Sequence, residues 1–284
     1  MRGQLQTQRY ERKYLLTETQ AVQAREFMRR YLVPDEHSEG KANFSYPVHS
    51  LYLDSDNLTT YWDQVHGAAN RFKLRLRYYD EDISSPVFFE VKRRANECIV
   101  KERSAVPKSA APVLLAGHFP SRHYLLKPYP SQFVALQNFW RIMNHLSARP
   151  KVHVSYWREA WVHPENNTLR ATFDRDVRGE ALRSVRLTPQ MTEPSRPFGR
   201  SVVLELKYTH SFPDWYRDLV WHFSLVQVGV PKYCGCVETI GVERVATSAN
   251  WKQASPRGPI RKSSYNHSPR NLIKVESAPT GPMR

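Results

Sequence analysis

The sequence predicts an α+β domain built mainly from antiparallel strands, and three observations carry that prediction. Runs in which apolar and charged residues alternate with period two recur along the chain, several of them joined by short polar turns. Helical periodicity is confined to a few segments between those runs. A hydrophobic content of 40% with 12% aromatics over 284 residues is enough to fill a substantial core.

The first run, Arg9 to Leu16, leads into a helical stretch from Glu18 to Leu32 in which Ala21, Ala24, Phe27, Met28 and Tyr31 recur at helical spacing. Tyr46 to Leu53 reads as a strand, and Asp56 as the N-cap of a short helix that runs to His66 and stops at Gly67. Arg71 to Tyr79, Val87 to Arg94 and Glu97 to Val106 then form a meander through the polar turns Asp80-Glu81-Asp82 and Ala95-Asn96. A Pro-rich connector from Pro107 to Leu146 reads as helical. Strands resume at Lys151 to Val162, Leu169 to Val177 and, after a loose loop, Ser201 to Tyr208. A helix from Pro213 to Gln227 offers Trp215, Leu219, Trp221, Phe223 and Leu225 for packing on the sheet. Beyond Ala246 hydrophobic period is lost and Ser, Pro, Lys and Arg dominate. Residues 1–8 are therefore expected to be a flexible N-terminus, 9–246 one continuous sheet domain without internal repeats, and 247–284 a disordered basic tail.

Residues two apart in a strand share a face, so each run divides into two faces. Arg9, Glu11 and Lys13 share one; so do Lys73, Arg75 and Arg77, then Glu90, Lys92 and Arg94, then Glu97, Lys101 and Arg103, with Ile99 the exception. In the second half the sets are Tyr156 with Arg158, then Arg170, Thr172 and Asp174, then Glu205 with Lys207. Opposite them lie Phe72, Leu74, Leu76, Phe89, Val91, Leu204 and Leu206. A solvated face of an antiparallel sheet carries charge routinely. It rarely repeats Arg and Lys on strand after strand, because like charges facing each other across paired strands destabilise the sheet. A multivalent anion would offset that repulsion, and curling the sheet into a barrel would converge the rows on one axis. Arginine holds phosphate oxygens bidentately, and lysine adds a mobile point charge. The carboxylates among them, Glu11, Glu90, Asp174 and Glu205, suit a hard divalent ion that bridges phosphate oxygens.

A net charge of +15 also asks for an anionic partner, whether nucleic acid, an anionic membrane surface or a polyphosphorylated molecule. Aromatics that mostly alternate away from the charges disfavour nucleic acid. Cys98, Cys234 and Cys236 form neither a disulfide framework nor a zinc pattern and read as reduced thiols of a cytoplasmic protein. No run is long enough to span a bilayer, which leaves peripheral association with a membrane partner as the form any membrane contact would take. His49 and His66 stand outside any ligand cluster, Ser50 lacks a nucleophile elbow, and no Walker loop is present, so a nucleotide must be held by side chains.

Glu11-Arg12-Lys13-Tyr14, Ser50-Leu51-Tyr52-Leu53-Asp54, Lys73-Leu74-Arg75-Leu76-Arg77-Tyr78-Tyr79, Phe89-Glu90-Val91-Lys92 and Val100-Lys101-Glu102-Arg103 occur in that order. Tyr156-Trp157-Arg158, Arg170-Ala171-Thr172-Phe173-Asp174, Leu204-Glu205-Leu206-Lys207 and Pro231-Lys232-Tyr233-Cys234 follow. The series, over about residues 9–236, resembles the VTC domain. That is the polyphosphate polymerase domain of the vacuolar transporter chaperone family, in the triphosphate tunnel metalloenzyme (CYTH) superfamily.

The resemblance implies an antiparallel β-barrel tunnel with flanking helices. In it the γ-phosphoryl group of ATP passes to a growing chain of inorganic polyphosphate with Mn²⁺ or Mg²⁺. Carried over by position, Lys13, Arg75, Arg77, Lys92, Lys101, Arg158 and Lys232 would hold phosphates, Tyr156 would add a hydroxyl, and Glu205 would ligate the metal. Glu11, Lys73, Glu90, Arg103, Arg170 and Lys207 complete the expected substrate-binding set. Arg9 stands where the superfamily's hydrolases and cyclases carry the first Glu of Glu-x-Glu-x-Lys, which matches the VTC branch better, and Pro231 precedes Lys232 where the family often has Ser. The phosphate-sensing SPX domain and the membrane segments of the eukaryotic complex have no counterpart in these residues. A metal-dependent hydrolase of tri- or polyphosphate on the same fold, and a non-catalytic polyanion-binding module, remain as alternative readings of the same residues.

Overall fold

The alternating runs pair into one nine-stranded antiparallel sheet in a computed structural model that describes residues 10–95 and 98–248. Expectations on residues 1–8, Arg9, Asn96, Glu97 and 249–284, and on the side chains of Cys98 and Ile99, lie outside the described residues. The strands are β1 (Tyr10–Leu16), β2 (Val33–Pro34), β3 (Ser45–Asp54), β4 (Asn70–Tyr78), β5 (Pro86–Ala95), β6 (Cys98–Pro107), β7 (Arg149–Val162), β8 (Leu169–Ala181) and β9 (Val202–Tyr208). The helices are α1 (Glu18–Met28), α2 (Thr59–Val65), α3 (Ala111–Leu115), α4 (Pro130–His145), α5 (Asp214–His222), α6 (Lys232–Ile240) and α7 (Val242–Val245). The sheet runs β1-β9-β8-β7-β3-β4-β5-β6, with β2 on the end of β7.

The sheet curls strongly. Glu11 on β1 and Lys92 on β5 are six strands apart in the order, about 29 Å in a flat sheet at ~4.8 Å per strand. Their charged groups nonetheless stand 3.6 Å apart. The face that bears them is therefore concave. The ladder does not close into the barrel expected from the sequence: among the described residues no backbone pairing joins β1 to β6. Other segments take the outward groups of both edges. Val228 N–H donates to Lys13 O at 2.9 Å on β1, while Leu126 N–H donates to Ala105 O at 3.2 Å and Ala105 N–H to Gln132 Oε1 at 3.0 Å on β6.

The convex face is the oily one. Leu74, Leu76, Phe89 and Val91 pack with Leu114, Leu136 and Phe139 of α3 and α4, and Leu204, Leu206 and Phe173 with α1 and α5. A capping box between Thr17 and Gln20 starts α1. Fully buried Glu159 holds that helix on the sheet by accepting from Arg25 at 2.6 and 2.8 Å, Arg175 at 2.6 Å and Trp161 Nε1 at 2.7 Å.

Three local expectations change. Helix α1 ends at Met28, and Tyr31 beyond it stacks on Trp215 at 4.5 Å. Leu58 holds the N-cap position of α2 without a side-chain bond, and Asp54, not Asp56, serves the first turn from outside it, accepting from the backbone N–H groups of Thr60 and Tyr61 as well as that of Ser55. Asp56 instead binds Lys151 at 3.0 Å and Thr247, so the first residue assigned to the tail is tied to the domain. Helix α5 stops at His222, and Trp221 is 83% exposed. Two residues on from buried Leu219 is 200° around a helix, which puts Trp221 on the solvent side.

Helix α6 was not foreseen, because Pro231 and Gly235 mask its period. It lies on the concave side with α2, covering an apolar patch of Val48, Val152 and Val154 that shares the face with the charges. Gly179 permits this approach: a Cβ there would stand 2.3 Å from Cys236 Sγ. Gly179→Ala is expected to push α6 outward and lower stability by about 1–3 kcal/mol, read as a lower denaturant midpoint at unchanged slope. A midpoint equal to wild type would show that α6 is not seated in this way.

Candidate functional site

Strand register sets the charged side chains face to face. Lys73 pairs with Lys92 and Lys92 with Lys101; Arg75 pairs with Glu90 and Glu90 with Arg103. On the other limb Arg158 pairs with Asp174, Thr172 with Glu205, Lys13 with Glu205 and Glu11 with Lys207. Helix α6 adds Lys232 from outside the sheet. Lys13, Lys73, Arg75, Arg77, Lys92, Lys101, Arg103, Arg158, Lys207 and Lys232 thus face the concave side, and among the described residues Glu11, Glu90, Asp174 and Glu205 stand between them to balance them.

Four carboxylates organise this excess. Glu205 accepts from Lys207 at 2.6 Å and Lys232 at 2.9 Å, with Lys13 at 3.4 Å and Arg158 at 3.7 Å. Asp174 beside it takes both arms of Arg158 at 2.7 Å and Lys232 at 2.7 Å. Glu90 takes Arg75 at 2.7 Å, Lys101 at 2.8 Å and Arg103 at 3.3 Å. Glu11 links the limbs, meeting Lys13 at 3.0 Å and Lys92 at 3.6 Å.

Two cations are left without a carboxylate. Arg77 is 8% exposed; its guanidinium donates to the Tyr156 hydroxyl at 3.2 Å, and its Nε has no partner. Lys73 reaches only Cys234 Sγ at 3.5 Å and the Tyr233 ring at 5.7 Å. A buried cation without a counter-charge is costly, so Arg77 favours an external anion, and half-buried Lys73 beside it offers a second positive charge.

The proton affinities follow the crowding. Burial alone would raise the Glu205 carboxyl; Lys207, Lys232, Lys13 and Arg158 overcome it and hold the group well below the usual carboxylate range. Burial is likewise overcome at Glu90 by Arg75, Arg77 and Lys101. The weakest-held ammoniums move the other way. Burial pushes Lys101 down to about 7, with Glu90 pulling it up and Arg75 and Arg77 opposing that pull. Burial pushes Lys207 down to about 8 despite Glu205 and Glu11. Lys101 keeps 40% of its side chain exposed, so water reaches it.

All fifteen sequence-predicted site residues therefore lie on one face, and fourteen of them gather around the cation rows and their carboxylates. Arg170, in register with Lys207 at the start of β8, shares the face at its rim, where its guanidinium is bound to Asp35 at 2.7 Å. Sequence reasoning passed over Tyr52, whose hydroxyl accepts from Arg75 at 3.1 Å and which stacks on Tyr233 at 5.0 Å; alternation in Ser50-Leu51-Tyr52-Leu53 already put it on the charged face. It also misjudged the aromatics. Tyr46, Tyr79 and Phe88 share the concave face, in register with or next to Arg158 and Arg77.

The family model of the VTC domain matches residues 8–240. The chain belongs to the VTC domain family. No curated protein matches this VTC domain. Among solved structures, a Bacillus halodurans protein described as a candidate adenylate cyclase aligns with 13% identity, a TM-score of 0.43, 77% of this chain and 91% of its own. That likeness is too distant to carry an argument. Among the described residues no helix is long and apolar enough to cross a membrane.

Lys101 and Lys207 give the concave face a pH-dependent affinity for anions. A bound polyanion favours their charged forms and so raises their pKa above the free values of about 7 and 8. Below pH 7 affinity is flat; above it binding must take up protons, so affinity falls as pH rises. Long-chain polyphosphate, whose internal phosphates stay ionised throughout, is expected to bind about tenfold more weakly at pH 9 than at pH 6. Calorimetry in buffers of different ionisation enthalpy should show proton uptake near pH 8; pH-independent affinity without uptake would contradict these lysine environments.

Proposed function

We propose that this VTC domain is a polyphosphate polymerase that binds ATP by its phosphates along the concave cation rows and passes the γ-phosphoryl group to a growing polyphosphate chain. Arg77 carries this reading. A buried arginine with one hydroxyl partner, flanked by Arg75, Arg158 and the lysines, suits a ligand with several anionic oxygens in a row. Family membership supports it, and the curl of the sheet supports a tunnel-like path for the polymer.

In the transfer, the terminal oxygen of the chain forms a bond to the γ-phosphorus. The bond from that phosphorus to the β,γ-bridging oxygen breaks, its electron pair leaving with ADP. Such a reaction needs alignment and charge neutralisation more than covalent help from the protein, and no general base is assigned. Arg75, Arg77 and Arg158 orient the phosphates, and Lys13, Lys92, Lys101 and Lys232 compensate their charge. Among the described residues no three His, Cys, Asp or Glu side chains group as a metal cage. The donor set fits an ion that arrives with the phosphates and takes one carboxylate, as Mg²⁺ commonly does. Glu205 would then hold Mn²⁺ or Mg²⁺ together with phosphate oxygens, and the bound ion would neutralise charge on the transferred group.

The purified chain incubated with ATP and Mn²⁺ is expected to produce a ladder of long polyphosphate on a gel. Orthophosphate alone would assign a hydrolase, and tight polyphosphate binding without turnover a binding module. Arg75→Ala with Arg77→Ala is expected to weaken polyphosphate binding at least about a hundredfold, two charge-assisted contacts being lost. Glu205→Gln should keep or tighten binding, because it frees cations, and remove metal-dependent turnover; turnover at the wild-type rate would refute the metal role.

A further inference from the structure

Three aromatic rings stand among the phosphate-facing cations. Tyr46 on β3 is in register with Arg158, Phe88 on β5 with Arg77, and Tyr79 lies two residues beyond Arg77, so all three share the face of the cation rows. Each is half-buried, at the same end of that face. Tyr46 and Tyr79 have centroids 6.2 Å apart at 57°, and Tyr79 and Phe88 6.0 Å apart at 71°. His37 closes the group, edge-on to Tyr46 at 5.7 Å and at 30° to Tyr79 at 6.5 Å. Tyr46, Tyr79 and Phe88 meet at angles at which they do not cover one another's faces, though His37 lies along Tyr79 and Arg103 over one face of Phe88. Arg103 joins them to the ion clusters: its guanidinium lies 3.5 Å from the Phe88 centroid, donates to the Tyr79 hydroxyl at 3.4 Å and pairs with Glu90 at 3.3 Å.

Aromatics at a sheet end ordinarily serve as packing, and Tyr46 and Tyr79 do touch the apolar patch under α2 and α6. Packing alone does not account for their position in line with the phosphate-facing arginines, on the face where the other side chains are mainly charged. A polyphosphate chain has no flat group to offer them. A nucleotide does. We infer that Tyr46, Tyr79 and Phe88 form a stacking platform for the nucleobase of the nucleoside triphosphate whose phosphates lie on Arg75, Arg77 and Arg158. This rests on the reading of the concave face as the phosphoryl-donor site. Bases stack on aromatic rings through a π-face that every base has, so the platform sorts nucleotide from polymer more than base from base.

The test compares two probes on the full chain in EDTA, where turnover is stopped: the β,γ-imido analogue of ATP and inorganic tripolyphosphate, each titrated by calorimetry. Tyr46→Leu and Tyr79→Leu are expected to weaken the ATP analogue about tenfold and tripolyphosphate less than twofold. Tyr79→Phe, which keeps the ring and drops only the hydroxyl, should retain the ATP analogue within threefold. Unchanged tripolyphosphate affinity also reports that the variants are folded. Equal losses for both probes, or no loss for either, would overturn the platform while leaving the phosphate site standing. Wild-type chain that binds neither probe would overturn the donor-site reading itself, and the platform with it.

Discussion

Like charge packed onto one inward face is the constraint to which the rest of this molecule answers. At an effective dielectric of about 20, two unit charges 4 Å apart repel by roughly 4 kcal/mol. A few such pairs would consume the whole stability of a domain, about 5–15 kcal/mol. Lys73, Lys92 and Lys101 stand directly across from one another on three adjacent strands. They are tolerable because Glu90 and Glu11 are threaded between the rows and because the face opens to water at Lys92 and Lys101, each 40% exposed along the side chain. The carboxylates that the sequence marks as suited to a divalent ion also serve, in the fold, as internal counter-ions, each held by two or more cations.

That role fixes geometry as well as charge. A one-residue slip in any strand would turn its cations into the oily layer under α3, α4, α1 and α5 and its leucines into the concave face, so the charge pattern and the core pattern specify one register together. Helix α6 is the part the sheet cannot supply. Its N-terminal residue Lys232 bridges Asp174 and Glu205, and its next residue, Tyr233, donates to Asp54 at 2.8 Å, the carboxylate that also serves the first turn of α2. The missing side chain of Gly179 lets that helix come close enough for both contacts.

Much of this was legible in the alternation. Lys73, Arg75 and Arg77, or Glu205 and Lys207, declare their common face by spacing two, and the structure puts them there. What spacing could not show was which strands meet. The contact of Glu11 with Lys92 depends on the curl accumulated across six strand steps, and no local pattern encodes it. Closure of the ladder is likewise decided by segments remote in sequence, Leu126 on one edge and Val228 on the other, which occupy the backbone groups a closed barrel would have used. Helix α6 was hidden by Pro231 and Gly235, both poor helix formers inside a helix but suited to its first turn and to a close approach against Phe198. Asp56 was read as the cap of α2 from its position alone, and the chain direction at the end of β3 gives the role to buried Asp54 instead.

The internal counter-ions also give the site a direction. A phosphate that meets Arg77 displaces nothing, since that guanidinium holds only a tyrosine hydroxyl and has an unused Nε. A phosphate that meets Arg158 competes with both oxygens of Asp174, and one that meets Lys232 with Asp174 and Glu205 together. Binding is therefore an exchange of anions whose cost rises from Arg77 toward Glu205. On the phosphoryl-transfer reading, a phosphate chain anchors first at Arg77 and gains progressively less at the positions beyond. Displaced carboxylates remain beside their cations, so the residues that balance the charge of this face also compete with any anion it takes up.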